Sequence, residues 1–176
     1  MIITVGGLPG TGTSTLCRLL ERELGLPYIY AGQIFRQEAA ARGMTLAELN
    51  ELAGTDDSVD HALDDRLLEF LRQGGAILEG RMSGWLAATN GIPAFKVWLT
   101  CDEDERISRL VARDGGDIEE QRRYTRARVA QEADRYRRYY SADPSDSSIY
   151  DLVLDSGGVE PAELVRRVLE GLGRYS

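Results

Sequence analysis

The stretch GLPGTGTS, residues 7–14, constrains this chain more than any other part of it. It fits the phosphate-loop pattern G-x-x-x-x-G-K-[ST] at Gly7, Gly12 and Ser14 and departs only at Thr13, where a lysine is expected. The flanks have the required order. Residues 1–5, MIITV, read as a buried β-strand, and Leu16, Leu19, Leu20 and Leu24 recur at helical spacing after the loop. Glycines let backbone N–H groups turn inward and approach phosphate oxygens closely, while the following helix aims the positive end of its dipole at the anion. Ser14 then has its hydroxyl in place for Mg²⁺. The plainer reading, a glycine-rich turn between strand and helix, leaves the strict spacing and both flanking periodicities unexplained.

A triphosphate held here needs positive charge from somewhere other than Thr13. Of the 21 basic residues only Lys96 is a lysine, and it lies within the apolar, strand-like run 95–99, FKVWL. Compensation therefore falls to arginine. Residues 122–138 carry seven arginines against Glu132 and Asp134, a local balance of +5 that leaves −13 for the rest of a chain whose formal total is −8. Such an acidic chain is not a general nucleic-acid binder, although a local basic surface remains.

The remaining pattern alternates strands and helices as a parallel α/β sheet does. Residues 76–79 (AILE), 95–99 and 150–154 (YDLVL) read as strands, and residues 28–30 (YIY) as a fifth, short one. Asp102 is the expected N-cap, with Glu105 completing a capping box, of a helix to about Arg113 stopped by Gly115 and Gly116. A long helix follows over Ile118–Tyr140, and Pro161 opens a last helix with Leu164, Val165, Val168, Leu169 and Leu172 toward the core. The expectation is an α/β, three-layer P-loop NTPase fold with a five-stranded parallel sheet. At 176 residues it forms one domain. Its core comprises 1–31, 75–113 and 148–176, with a helical insertion at 32–74 and a short helical lid at 114–147. No apolar run reaches membrane-spanning length and no signal peptide opens the chain, so a cytoplasmic monomer or small homo-oligomer is expected, with no membrane partner. Cys17, Cys101 and the lone His61 have no zinc spacing, and all three read as structural, the thiols as core residues.

Three further groups carry candidate chemistry. In the insertion, Arg36 can fork around a phosphate or simply pair with Glu38, and Asp60, Asp64 and Asp65 cluster on a later helix. Glu79, Arg81 and Gly84 follow the end of a strand, the edge where ligands bind in open α/β sheets. Glu79 suits a Mg²⁺ water and Arg81 a transferring or accepting phosphate, whereas Trp85 reads as core packing. On the basic helix, Arg128, Glu132, Arg135 and Tyr139 share one face. That helix fits a solvated face, a nucleic-acid contact or a mobile lid. A lid accounts best for a positive segment in an acidic chain whose phosphate loop lacks lysine, because phosphoryl transfer needs cations and exclusion of water.

Taken together, GLPGTGTSTLCRLL, YAGQIFRQEAAARGMTLAELN, VDHALDDR, LEGRMSGWL and SIYDLVLDS resemble the archaeal-type cytidylate kinases, a branch of the P-loop nucleoside monophosphate kinases. The resemblance covers nearly the whole chain in order, and members of that branch occur with threonine at the lysine position. It implies Mg²⁺-dependent transfer of the ATP γ-phosphate to CMP or dCMP. By that resemblance Gly7, Gly10, Thr11, Gly12, Thr13, Ser14 and Thr15 hold ATP. Arg36 and Arg81 hold the acceptor phosphate with Gly32 and Gly84 beside them, and Asp60 and Asp64 help read the cytosine edge. Ser14 and, through water, Glu79 hold the metal. Arg128 and Arg135 match the lid arginines, with Arg137 and Arg138 as alternatives, so Arg81, Arg128, Arg135 and Thr13 form the expected catalytic set. Replacing Arg81 or Arg135 by alanine is expected to lower turnover with the fold intact. Kinases of another small acceptor, a silent nucleotide-binding protein and a nucleic-acid module using the basic helix are the rival readings.

Overall fold

The computed structural model describes residues 1–143 and 145–175; Pro144, within the expected lid, and Ser176, at the end of the expected core, lie outside the described residues. Its centre is a five-stranded sheet of β1 (Ile2–Gly7), β2 (Tyr28–Tyr30), β3 (Ala76–Glu79), β4 (Phe95–Thr100) and β5 (Leu152–Asp155). The spatial order is β2-β3-β1-β4-β5 and every pairing is parallel. Strands buried on both faces require continuous apolar runs, which β1, β3 and β4 supply. The registers Val5↔Glu79 and Tyr30↔Glu79 bring the ends of β1, β2 and β3 level. Crossovers leaving in opposite directions on either side of β1 open a crevice at those ends.

One face of the sheet is covered by α1 (Thr13–Leu24) and α8 (Pro161–Tyr175), whose Leu16, Leu20, Leu164 and Val168 pack on Ile3, Val5, Val97 and Leu99. The other face receives α4 (Ser58–Gln73) and α5 (Ser83–Thr89), where Leu67, Leu71 and Leu86 meet Ile2 and Leu78. The insertion resolves into α2 (Ala31–Ala41), α3 (Leu46–Ala53) and α4, starting one residue earlier than expected. It has a small core of its own, built from Ala39, Leu49, Ala53 and Val59. Thr45 and Glu48 form a capping box at the start of α3.

Helix α6 (Glu103–Asp114) is capped by Asp102, whose carboxylate accepts from the Asp104 N–H at 2.8 Å. Glu105 does not complete the expected box: it binds Arg109 and the Gly158 N–H instead. Helix α7 runs over the expected span, Ile118–Tyr140, with Asp117 accepting from the N–H groups of Glu119 and Glu120. One end is tied to α6, where Arg122 pairs with Asp104 and Arg126 with Glu103. The other end reaches the insertion, where the Tyr139 hydroxyl and Arg138 donate to the carbonyls of Ala53 and Gly54. A 3-10 turn, Ser147–Ile149, precedes β5, which starts two residues later than the sequence suggests because Tyr150 turns aside to stack on Trp98. Cys17 is in the core, but Cys101 is only partly buried, at the end of β4, which corrects its reading as a core residue. No helix among the described residues is long and apolar enough to cross a membrane.

Candidate active site

The phosphate loop joins β1 to α1 in the expected conformation. Gly10 (φ 87°) and Gly12 (φ 90°) occupy the left-handed region, and a Cβ on Gly10 would lie 2.5 Å from the carbonyl oxygen of Arg106. The loop is braced from behind. Arg106 donates to the Pro9 carbonyl at 3.1 Å, Arg109 to the Gly10 carbonyl at 3.4 Å, and the Ser156 hydroxyl to the Thr11 carbonyl at 2.7 Å. Turning these carbonyls toward α6 and β5 frees the opposite side of the loop for its N–H groups, and it sets two guanidinium charges behind the anion cradle. Sequence reasoning missed Arg106 and Arg109. Their spacing of three residues on the helix after β4 is the signal, legible only once that helix is known to back the loop. Thr11 closes the loop on itself, its hydroxyl donating to the Leu8 carbonyl, and Gly7 leaves room for that hydroxyl. Thr15 is exposed on the first turn of α1.

At the crest of the crevice Glu79 is 5% exposed and has no ion-pair partner among the described residues. Three hydroxyls hold it. Thr13 donates to Oε1 at 2.5 Å, Ser14 donates to the same oxygen at 2.8 Å, and Tyr28 donates to Oε2. Burial, and then the bond to Glu79, push the Tyr28 phenol above its usual range, so it keeps its proton. The Thr13 hydroxyl therefore faces the carboxylate. This arrangement fits a divalent cation. Ser14 spends its proton on Glu79 and keeps its lone pairs free. A carboxylate offers about four acceptor sites, so three donors leave Glu79 roughly one for a metal-bound water. No cluster of three or more His, Cys, Asp or Glu suited to a metal exists among the described residues.

Across the crevice the structure brings Arg81, Arg128 and Arg135 together. Arg81 pairs with Glu132 of α7, and Arg128 reaches the other oxygen of the same carboxylate at 2.9 Å. Arg135 lies 3.1 Å from Asp60. Burial lowers the Arg81 pKa to about 10, which still leaves it charged at neutral pH. Asp64 lies one turn beyond Asp60, against the Tyr140 hydroxyl; burial pushes its carboxyl up to about 7, a shift that Tyr140 opposes. Asp65 points to solvent and is not part of this cluster. Arg137 is exposed and Arg138 turns to the end of α3, so among the α7 arginines it is Arg128 and Arg135 that face Arg81.

The two glycines near these groups have packing roles. A Cβ on Gly32 would strike the Tyr30 ring at 2.5 Å, and the exposed Arg36 lies 5.9 Å from the centre of that ring rather than paired with Glu38, which binds Arg42. A Cβ on Gly84 would meet the Tyr150 ring at 2.7 Å and the Thr4 hydroxyl at 3.3 Å, so Gly84 fits α5 onto the sheet and does not line the crevice. Trp85 packs on Tyr140, as does the His61 ring from α4. Lys96 is bound to Asp151 and the Ala94 carbonyl, away from the phosphate loop. A hollow of 340 Å³ lined by Met1, Leu71, Ile92, Pro93 and Tyr175 lies at the opposite end of the sheet and holds none of the charged cluster.

A parallel sheet, a phosphate loop at its crest and arginines facing it define a P-loop protein of the small-molecule kinase fold. The solved shikimate kinase from Bacteroides thetaiotaomicron has this fold, with a TM-score of 0.65, 16% identity and 98% of each chain covered. Residues 3–134 match the family described as AAA domain. The cytidylate kinase of Methanopyrus kandleri is 40% identical over 89% of this chain and 84% of its own. That of Archaeoglobus fulgidus is 36% identical over 98% of this chain and 94% of its own. The chain belongs to this cytidylate kinase family.

Proposed function

We propose that the protein transfers the γ-phosphate of ATP to CMP or dCMP, giving ADP and CDP or dCDP. The observation that carries this reading is the meeting of Arg81, Arg128 and Arg135 across the crevice from the phosphate loop, two anion-binding arrangements at one sheet edge. ATP lies with its phosphates on residues 7–15. Mg²⁺, held by Ser14 and through water by Glu79, supplies charge neutralisation for the phosphates. The acceptor enters between the insertion, α2 to α4, and α7, which acts as the lid. Arg36 and Arg81 take its phosphate, and Asp60 or Asp64 accepts from the cytosine amino group.

No protein nucleophile is required, since an acceptor phosphate oxygen attacks the γ-phosphorus directly and ADP leaves. The chain's residues orient the two phosphates, spread positive charge over the transferring group and exclude water as α7 closes. Arg106 and Arg109 add charge from behind the loop. The test is ADP formation from ATP and Mg²⁺ with CMP, dCMP, UMP, AMP, GMP or shikimate, against a control without acceptor. Acceleration by CMP or dCMP is expected. Acceleration by a different acceptor alone removes the pyrimidine assignment, and ATP binding with no acceleration favours a silent nucleotide-binding protein.

A further inference from the structure

Glu79 is a buried carboxylate at the end of β3, beside a phosphate loop with no lysine, and no arginine or lysine among the described residues pairs with it. An unpaired buried anion is tolerated when its oxygens are saturated by hydrogen bonds. Here the donors are neutral and come from two places: Thr13 and Ser14 open α1, and Tyr28 reaches across from β2. We infer that Tyr28, together with Thr13, is a positioning residue for the metal-nucleotide complex, holding Glu79 so that a single outward lone pair meets the water shell of the divalent cation.

The inference rests on the ATP half of the proposed function and is independent of the acceptor. Its geometry is specific. Strand β2 pairs with β3, placing Tyr28 opposite Ile77 and Tyr30 opposite Glu79, so the Tyr28 side chain runs along the sheet to reach Glu79 Oε2. Thr13 divides its two branches, with the hydroxyl on Glu79 and the methyl carbon 3.1 Å from where a Cβ on Gly7 would stand. A carboxylate fixed from both oxygens cannot rotate to chelate the cation, and it cannot swing away from it. Groups that orient a metal-binding residue typically change metal affinity about 10- to 100-fold when removed.

The test is Tyr28→Phe, which keeps the ring and deletes only the hydroxyl. Mn²⁺ binding to the full-length protein saturated with ATP, without acceptor, is followed by the electron paramagnetic resonance signal of free Mn²⁺. The expected result is roughly tenfold weaker Mn²⁺ binding, with metal-free ATP affinity close to wild type and a melting temperature lowered by a few degrees at most, because Glu79 Oε2 loses its donor. Thr13→Val should likewise weaken Mn²⁺ binding, and Tyr28→Phe in a Glu79→Gln background should add little to the loss caused by Glu79→Gln alone. Wild-type Mn²⁺ affinity in Tyr28→Phe overturns the inference, as does an equal loss of metal-free ATP binding. If Tyr28→Phe fails to fold, Thr13→Val decides by Mn²⁺ binding at saturating ATP, where wild-type affinity overturns the inference. Wild-type protein that binds Mn²⁺ and ATP but phosphorylates no cytidine nucleotide leaves the positioning role standing while removing the proposed function. Wild-type protein that binds no Mn²⁺ with ATP removes both.

Discussion

Replacing Glu132 by glutamine removes one negative charge and almost no volume from the centre of the arginine cluster. The side chains of Arg81 and Glu132 are 15% and 8% exposed, so this is a buried pair, whereas the Arg128 side chain is 48% exposed. Removing one partner of a buried pair typically costs about 3–5 kcal/mol, because the surviving charge stays desolvated. The exposed contact adds no more than about 1 kcal/mol. Glutamine still accepts one hydrogen bond, so the low end, about 3 kcal/mol, is expected. For a chain of this length that lowers the melting temperature by about 8 °C. The assay is thermal and urea unfolding of both proteins with and without inorganic phosphate. Phosphate should restore more stability to the variant than to wild type, because an anion then fills the place that Glu132 holds between Arg81 and Arg128. Equal stability of the two proteins, or an equal phosphate shift in both, refutes the assignment of Glu132 as the counter-ion of the acceptor arginines.

The Asp64 carboxyl, raised to about 7 by burial and, to a smaller extent, by the nearby Asp60 charge, against the Tyr140 hydroxyl, keeps a proton that the unfolded chain releases near pH 4. Its contribution is fully present below that lower value and is lost as pH rises toward 7, by up to about 1.4 kcal/mol per pH unit. Asp64→Asn should flatten the stability profile in that window, measured by urea unfolding from pH 4 to 8, and should be the more stable form at pH 8. In Thr13→Lys the ammonium lies against Glu79, so turnover should not rise and the Mg²⁺ concentration for half-maximal rate should increase; a large gain in rate would show that the natural loop is under-charged. Arg109→Ala should weaken ATP binding measured by calorimetry while leaving acceptor affinity unchanged, since Arg109 touches the loop and not the Arg81 cluster. Arg81→Ala and Arg135→Ala should now cost stability as well as turnover in paired unfolding and rate measurements. Each leaves a carboxylate buried, which corrects the expectation of an intact fold for either variant.

The fold was legible because its signals are local. The loop pattern, the short apolar runs and the helical spacing of Leu164, Val165 and Val168 each depend on near neighbours, and the long α7 covers the expected span, Ile118–Tyr140. Candidate residues on α7 were legible for the same reason: Arg128, Glu132 and Arg135 share a face by counting alone. What the sequence could not supply was pairing across elements. Nothing near Tyr28 announces that its hydroxyl meets a carboxylate 51 residues away, or that Arg106 reaches back 97 residues to Pro9. Gly32 and Gly84 were placed, by resemblance, beside the arginines of the acceptor phosphate. Each makes room for a tyrosine, Tyr30 and Tyr150, because glycine beside a binding edge looks the same in sequence whichever group approaches it.

The missing lysine can then be accounted for by following charge through the crevice. A lysine at position 13 would place its ammonium between Glu79 and the phosphates, neutralising both in part. With threonine there, Glu79 is satisfied by hydroxyls that carry no charge, and the loop's Pro9 and Gly10 carbonyls are drawn back by Arg106 and Arg109. Positive charge beside the loop lies in two groups, Arg106 and Arg109 of α6 behind it, with Arg109 paired to Glu105, and Arg81, Arg128 and Arg135 across from it. The second group is neutralised by Glu132 and Asp60 in the structure, so its charge becomes available to a phosphate only when those carboxylates give way. A phosphate that displaced those carboxylates would tie the electrostatic strength of the site to its occupancy.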